Sequence, residues 1–160
     1  MPKNNSIEVF IQRFFNQNPE YMNQTFYEVF HFDLTKNIAN KLLMLVLKGK
    51  KLATASSLYA YQKEQMDIPM PGNLSIVTDY EGIPYAVIKT IRITIIPFKE
   101  MTFDICKREG EDQCLETWIE SHTRFFEDEG AIIGYQFDRN MPVVFEDFIV
   151  LYKEDYHEEV

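Results

Sequence analysis

The six residues Gly49-Lys50-Lys51-Leu52-Ala53-Thr54 mark the point where the chain changes from helix to strand. They follow an apolar run at residues 38–47 and lead into a β-compatible run at residues 53–59. Gly49 suits the left-handed residue that ends a helix, because glycine lacks the Cβ that makes this conformation costly. The stretch therefore predicts a junction that displays a lysine and a threonine three residues apart.

Upstream of the junction, apolar residues recur at helical spacing. A first helix is predicted between an N-cap at Ser6 and a stop at Pro19. The aromatic stretch 21–32 predicts a second helix, and Thr35 is expected to cap a third that Gly49 closes. The stripe of the first helix is Ile7, Phe10, Ile11, Phe14 and Phe15, and the inward face of the third is Ile38, Leu42, Leu45 and Val46.

Downstream of the junction, the pattern changes to strands and returns once to helix. Residues 74–77 and 143–152 predict strands, and 79–82 predicts a turn. Residues 86–97 (AVIKTIRITIIP) predict a central strand, because β-branched residues are dense there and alternate in period two. Residues 98–129 predict helix, with Trp118 and His122 on its apolar stripe. The sequence therefore predicts an α+β fold.

Length and composition predict one packed domain over residues 1–160, with a helical extension at about 6–32. A chain of 160 residues can bury a large enough core to fold without disulfide bonds or a structural metal ion. A hydrophobic fraction of 46% is typical of a globular protein. Cys106 and Cys114 are too few for a disulfide framework. Neither a secretory signal nor a run long enough to span a membrane is visible, so we expect a cytoplasmic protein without a membrane partner.

The net charge of −9 is unevenly distributed along the chain. Residues 1–63 contain 8 Lys and Arg against 4 Asp and Glu, whereas residues 64–160 contain 8 against 21. The basic part surrounds the junction. A local positive patch on an acidic protein fits a small or short anionic ligand better than an extended DNA duplex, whose affinity scales with the number of phosphates neutralised.

Lys51 and Thr54 are the first candidates for chemistry. If burial or neighbouring cations disfavour the charged form of the lysine, its amine can take the proton of the Thr54 hydroxyl and make it a nucleophile. If the lysine stays charged, it can hold a phosphate or an oxyanion. The alternative is a lysine on the surface and a threonine that is an ordinary strand residue.

Aromatic and hydroxyl residues follow the junction and could bind a base or sugar. Tyr59 and Tyr61 alternate with smaller side chains, which predicts that they share one face of an extended segment, and a base can stack on a tyrosine ring. Ser56 and Ser57 supply hydroxyl groups beside them. The alternative is that both tyrosines pack in the core with their hydroxyl groups at its edge.

The sequence predicts neither a metal site nor a cofactor. His31, His122 and His157 share no ligand spacing with the two cysteines, and no glycine-rich phosphate loop is present. We expect His122, four residues after Trp118, to be a core or edge histidine.

The motifs, taken together, resemble those of the ASCH domain family, and specifically its longer bacterial branch. Gly49-x-Lys51-x-x-Thr54 is similar to the GxKxxT signature of these domains, and the resemblance extends over nearly the whole chain. The other motifs that support the resemblance are, in order, residues 53–61, Pro71-Gly72, Glu109-Gly110-Glu111-Asp112 before Trp118, and residues 141–146 before Phe148. The resemblance implies a small PUA-like β-barrel decorated by helices, in a family associated with RNA.

The resemblance also implies candidate functions. One member is reported to deacetylate acetylated cytidine with a lysine, a threonine and a glutamate, which implies catalytic roles here for Lys51, Thr54 and either Glu111 or Glu109. Lys50, Ser56, Ser57 and Tyr59 then become candidates for substrate binding. The expected partner is a nucleoside or a short single-stranded RNA. The alternatives are a non-catalytic RNA-binding module, or a ribonuclease that uses Lys51 with Tyr59. The oligomeric state stays open.

Overall fold

A five-stranded mixed sheet organises the computed structural model, which describes residues 6–156. Its strands are β1 (Glu28–Phe30), β2 (Ala53–Ser57), β3 (Leu74–Thr78), β4 (Pro84–Pro97) and β5 (Pro142–Lys153), in the order β1-β3-β4-β5-β2. β1 pairs with β3 in parallel, and the other neighbours are antiparallel. The predicted α+β class is confirmed.

The long strand β4 lies at the centre of the sheet, as its β-branched sequence predicts. Its first half pairs with β3, and nearly its whole length pairs with β5. The register with β5 shifts after Val87 and again after Thr90. Such irregularities bend a strand and increase its twist. The sheet accordingly curves into a half-barrel.

Five helices surround this half-barrel. They are α1 (Ile7–Gln17), α2 (Lys36–Leu47), α3 (Leu58–Lys63), α4 (Phe103–Cys106) and α5 (Leu115–Ile133), with 3₁₀ turns at Pro19–Tyr21, Phe98–Glu100 and Lys107–Glu109. The Ser6 hydroxyl caps α1 by accepting from the amide of Val9 at 3.2 Å, as predicted. Within residues 6–156, no helix is both long enough and apolar enough to cross a membrane.

The second predicted helix, at residues 21–32, is wrong. This stretch holds a 3₁₀ turn and the edge strand β1. The backbone amide of Tyr27 donates to the carbonyl of Leu74 at 2.7 Å, and Asn23 adopts a left-handed conformation that interrupts any helix. Pairing with β3 therefore overrides the helical spacing of the aromatic residues. His157, in the C-terminal tail, lies outside the described residues.

Three further details of the predicted elements need correction. The inward face of α2 is rotated by one residue from the predicted one, which leaves Ile38 43% exposed. β2 ends at Ser57, because its hydroxyl accepts from the amide of Ala60 and caps α3, so the two tyrosines lie on a helix and not on a strand. Residues 98–114 form two 3₁₀ turns and the short helix α4 before α5 begins. The buried residues of α2 are Ala39, Leu43, Val46 and Leu47.

Candidate functional site

The turn after α2 directs the Lys51 side chain into the protein. Gly49 adopts φ +76°, and the amides of Lys50 and Lys51 both donate to the carbonyl of Leu45, at 2.9 and 3.1 Å. As a result, the side chain of Lys51 is only 1% exposed, whereas Lys48 and Lys50 are exposed on either side of Gly49. A buried lysine needs partners, because desolvating an ammonium group is costly.

Gly110 allows the segment that carries Glu109 and Glu111 to pack closely against this turn. It has φ +70°, and a Cβ at this position would lie 2.0 Å from the carbonyl oxygen of Lys50, so only glycine fits. The amide of Leu52 donates to the carbonyl of Arg108 at 3.0 Å and ties the two segments together. Because Gly110 separates them, both Glu109 and Glu111 reach Lys51.

The Lys51 amine is surrounded by hydrogen-bond acceptors. Nζ donates to the carbonyl of Ala53 at 2.8 Å and to Oε2 of Glu111, and it lies 3.7 Å from Oε1 of Glu109. It also lies 5.1 Å from the centre of the Phe32 ring. Such a set of acceptors and an aromatic face matches a charged ammonium group.

Glu109 is the inner carboxylate of the pair and is almost fully buried. Its Oε1 accepts from the amide of Ala55 at 3.0 Å, and its Oε2 accepts from Nε1 of Trp118 and lies 3.3 Å from Nε2 of His122. Burial alone would raise the pKa of Glu109, but the charges of His122 and Lys51 and the hydrogen bonds lower it to about 2. Glu109 is therefore an anchored anion.

Glu111 is the outer carboxylate, and its side chain is 18% exposed. Burial raises its pKa; Lys51 offsets part of this effect, and the charge of Glu109 adds to it. Glu111 therefore holds a proton more readily than Glu109 does. The two carboxylates beside one lysine are thus suited to different tasks.

A cavity of about 330 Å³, which we call the lysine chamber, opens over these groups. Lys51, Thr54, Glu109, Glu111 and His122 all line it. Within residues 6–156 the Thr54 hydroxyl has no hydrogen-bond partner, so it is available to a ligand. The structure thus brings together in one concave site the lysine, the threonine and both candidate glutamates.

A second cavity of about 220 Å³ adjoins the first, and we call it the acidic chamber. Phe32, Thr54 and Ala55 belong to the walls of both cavities. Among the described residues, no lysine or arginine lines the acidic chamber. Its carboxylates are Glu28, Asp33, Glu64, Glu129 and Glu146.

Three of these carboxyl groups ionise less readily than usual. Burial, with a smaller contribution from Glu146 and Glu64, raises the pKa of Glu28 to about 7. Burial also raises the pKa of Glu129 and of Glu146; a hydrogen bond from Tyr135 partly offsets the effect on Glu129, and one from Thr90 partly offsets that on Glu146. Ionisation of these carboxyl groups is therefore disfavoured in the acidic chamber.

The other candidate binding residues are dispersed. Ser56 lines the acidic chamber, but Lys50, Ser57 and Tyr59 line neither chamber. Ser57 is buried and donates to the sulfur of Met141 at 3.0 Å, and the Tyr59 hydroxyl donates to Asp138 at 3.3 Å. The lysine–tyrosine pair of the ribonuclease alternative is thus not assembled around the lysine chamber.

Sequence reasoning missed several groups that shape the site. His122 is buried, as expected for a core or edge histidine, but it also lines the lysine chamber, because its place four residues after Trp118 puts both on the face of α5 that meets the glutamates. Asp147 is bracketed by Arg108, with contacts of 2.6 and 3.1 Å, and by Arg92 at 3.0 Å, and this bracket fixes the glutamate segment to β5. Across residues 6–156, no group of three or more potential ligands is arranged to hold a metal ion.

Comparison with known proteins identifies this architecture. The family model of the ASCH domain matches residues 28–152. The chain belongs to the ASCH domain family. An ASCH domain from Lactobacillus crispatus JV V101 is 27% identical with a TM-score of 0.82, covering 91% of this chain and 93% of that one. The comparison with curated proteins found no match.

A second solved structure extends this likeness. A protein from Enterococcus faecalis V583 is 30% identical with a TM-score of 0.83, covering 96% of this chain and 98% of that one. Both solved structures therefore share the fold over almost their full length. Helix α1 lies N-terminal to the matched residues, and β1 begins at the first of them.

Proposed function

We propose that this ASCH domain is a small hydrolase that cleaves the amide bond of an acylated nucleoside of the N4-acetylcytidine type. One observation carries the proposal. Lys51 is buried between two carboxylates of different character and lines the same cavity as Thr54, whose hydroxyl has no hydrogen-bond partner within residues 6–156. A poor nucleophile such as a hydroxyl is activated when an amine can act as its base.

The chemistry begins with a proton shift inside the Lys51–Glu111 pair. A ligand that covers Glu111 removes water from it, and desolvation favours the neutral pair of an amine and a carboxylic acid over the ion pair. The Lys51 amine then takes the proton from Oγ of Thr54 while this oxygen attacks the amide carbonyl. The exocyclic amine leaves with a proton from Glu111, which gives acetyl-Thr54 and the free nucleoside.

Water completes the cycle by hydrolysing the acetyl ester. Lys51, which gained a proton from Thr54 during acyl transfer, holds the oxyanion of each tetrahedral intermediate, and Glu111, now a carboxylate, takes a proton from the attacking water. When the ester bond breaks, Oγ of Thr54 takes a proton from Lys51, and acetic acid leaves. The neutral pair of Lys51 and Glu111 is thereby restored. Glu109 stays ionised throughout, because its low pKa and its buried donors hold it in that state.

The acidic chamber supports a small, uncharged substrate. It adjoins the lysine chamber at Thr54, and no described lysine or arginine lines it, so a phosphate group there would face carboxylates without a counter-charge. A protonated Glu28 carboxyl group there can donate a hydrogen bond to an oxygen or nitrogen acceptor of a base or a sugar. A nucleoside therefore fits the cleft better than a nucleotide does.

A non-catalytic RNA-binding module is the second candidate. The exposed side chains of Lys48 and Lys50 favour it, since they lie at the end of α2 next to the buried lysine and would meet a phosphate backbone. In this case the two chambers would hold one unstacked base, and no bond would be cleaved.

Turnover of defined ligands separates the two candidates. We expect the wild-type protein to release acetate and cytidine from N4-acetylcytidine. Chromatography of the reaction mixture measures both products. Lys51→Arg and Thr54→Val should each abolish turnover, and the double variant should be no worse, because the two residues act as one unit. Lys48→Arg and Thr94→Val, exposed or half-exposed positions outside the cleft, are the matched controls.

The opposite result is equally clear. Binding of a short single-stranded RNA, without turnover of any acylated nucleoside, would establish the binding module. Full activity of Lys51→Arg would show that Lys51 acts only as a cation and that the nucleophile lies elsewhere.

A further inference from the structure

His122 lies with both of its ring nitrogens facing hydrogen-bond acceptors. Nδ1 is 3.0 Å from the carbonyl oxygen of Trp118, and Nε2 is 3.3 Å from Oε2 of Glu109. A carbonyl and an ionised carboxylate can only accept, so a ring nitrogen without a hydrogen would turn its lone pair towards an acceptor. The hydroxyl of Ser121, 3.2 Å from Nδ1, also donates to the Trp118 carbonyl. The geometry is that of an imidazolium ion.

The surroundings of the ring favour the same charge state. The imidazole stacks on the indole of Trp118, with ring centres 4.1 Å apart and an angle of 17° between the planes. Cations are stabilised by the face of an indole. Burial disfavours the imidazolium, but the adjacent Glu109 outweighs this effect and raises the pKa of His122 above its ordinary value.

The charges around His122 balance only when it is protonated. Its ring faces Glu109 from the 3₁₀ turn and Glu111 from the following loop, and Lys51 lies behind them. Two cations then match two carboxylates. Further titratable groups are the Cys106 thiol of α4, whose pKa is raised to about 11, and Asp33, Arg124 and Asp128, which line the same chamber.

We propose that His122 is a positioning residue that neutralises Glu109 as an imidazolium ion and thereby allows Lys51 to pass its proton to Glu111. The last part of this statement rests on the proposed function. We call His122 and Glu109 the inner pair, and Lys51 and Glu111 the outer pair. When His122 is charged, the inner pair has no net charge, so it does not favour either position of the proton in the outer pair. When His122 is neutral, Glu109 has only Lys51 as a counter-charge, and this holds Lys51 in its charged form.

The charge state of His122 can be measured without any turnover. In the imidazole region of ¹H–¹⁵N spectra, the signals of His122 are assigned by their loss in His122→Gln. We expect His122 to titrate above the ordinary value of about 6.5, and Glu109→Gln to lower its pKa by one unit or more. Glu127→Gln, an exposed glutamate on the same helix, should leave the titration unchanged. Titration at or below the ordinary value would overturn the inference, as would indifference to Glu109→Gln.

The double variant Glu109→Gln/His122→Gln removes both charges of the inner pair together and is the control for the coupling to Lys51.

Kinetics complete the test and separate it from the proposed function. In the wild type, kcat should fall as pH rises through the pKa of His122. His122→Gln should lower kcat about 10- to 100-fold with little change in KM and should lose this alkaline limb; the double variant should recover about tenfold. A merely structural role would lower stability and leave the shape of the pH profile intact. Absence of turnover in the wild type, with the spectroscopic results as expected, would refute the hydrolase alone.

Discussion

The two chambers of the cleft contain similar numbers of carboxylates but differ in how these are compensated. In the lysine chamber, Glu109 is met by a lysine, a histidine and two N–H donors, and its pKa is lowered. In the acidic chamber, Glu28 meets other carboxylates, and its pKa is raised. Thr54 and Ala55 are among the residues that line both.

This contrast shows how one small domain supplies both an anchored anion and carboxyl groups that are harder to ionise. Burial opposes ionisation in both chambers, so burial alone does not decide the outcome. The decisive factor is whether the chain brings a cation to the same place. Lys51, from the turn after α2, and His122, from α5, lie beside Glu109, whereas no described lysine or arginine lines the acidic chamber. A ligand that spans both chambers would therefore meet charge-balanced carboxylates at one end and uncompensated carboxyl groups at the other.

Removing the lysine should produce the largest effect on stability. Lys51→Met leaves two carboxylates in the lysine chamber without their nearest cation, and we expect a loss of about 3–5 kcal/mol in the free energy of unfolding. Denaturant unfolding measures it. Lys48→Met, at an exposed position one turn earlier, should change stability by about 0.5 kcal/mol or less. Equal effects of the two substitutions would show that the ion cluster contributes nothing.

The contact at Gly110 should give the next largest effect. Gly110→Ala places a Cβ 2.0 Å from the Lys50 carbonyl oxygen at a positive φ, so the glutamate segment has to move away from Lys51. We expect a loss of about 2–3 kcal/mol, together with a loss of ligand binding.

Gly82 offers the matched control for this substitution. It has a similarly positive φ of +92°, but nothing lies within 4 Å of an added Cβ. Gly82→Ala should therefore cost about 1 kcal/mol from backbone conformation alone. Calorimetry on both variants measures the difference, and equal costs would mean that the close approach at Gly110 is not a constraint.

How far the sequence predicts this site depends on the range of the interactions. The local sequence predicts the helix that Gly49 terminates, the central strand β4 and the motif that carries Lys51 and Thr54. It does so because helix caps and period-two patterns depend on neighbouring residues. The edge strand β1 was missed, since its extended form comes from pairing with β3 more than forty residues away.

The site itself shows the same limit. The motif spacing left Glu109 and Glu111 as alternatives, whereas the structure brings both to Lys51, because the fit of Gly110 against Lys50 is a contact between distant segments. The acidic chamber draws Glu28, Glu129 and Glu146 from three separate elements. No local pattern marks such a cluster.

The two chambers should also respond to pH in opposite directions. The folded pKa of Glu28 is about 7, against 4.5 for an ordinary glutamate, so the folded state keeps a proton that the unfolded chain releases. Stability from this group is fully present below about pH 4.5 and is lost as pH rises to about 7. Glu109, with a lowered pKa, contributes stability above about pH 4.5 that is lost as pH falls towards 2.

Glu28→Gln tests this sign. The variant should match the wild type at pH 4 and exceed it by about 1–2 kcal/mol at pH 8, as measured by urea unfolding across the range. Glu127→Gln, on the exposed face of α5, should show no such trend. If the difference in the free energy of unfolding between the variant and the wild type is constant with pH, Glu28 ionises normally in the folded state.

The smallest expected effect concerns ligand charge and tests whether the chambers act as one cleft. N4-acetylcytidine should bind about tenfold more tightly than its 5′-monophosphate, because a phosphate near the acidic chamber meets carboxylates and no cation, a penalty of about 1.4 kcal/mol. Glu64→Gln, which removes one exposed carboxylate of this chamber, should narrow the gap, and Glu127→Gln should not. Isothermal titration at two salt concentrations measures this difference in affinity and shows its electrostatic origin, since screening by salt should reduce it.

If the monophosphate binds more tightly than the nucleoside, the phosphate lies instead at the basic turn beside Lys48 and Lys50, and the cleft is oriented for a nucleic acid chain.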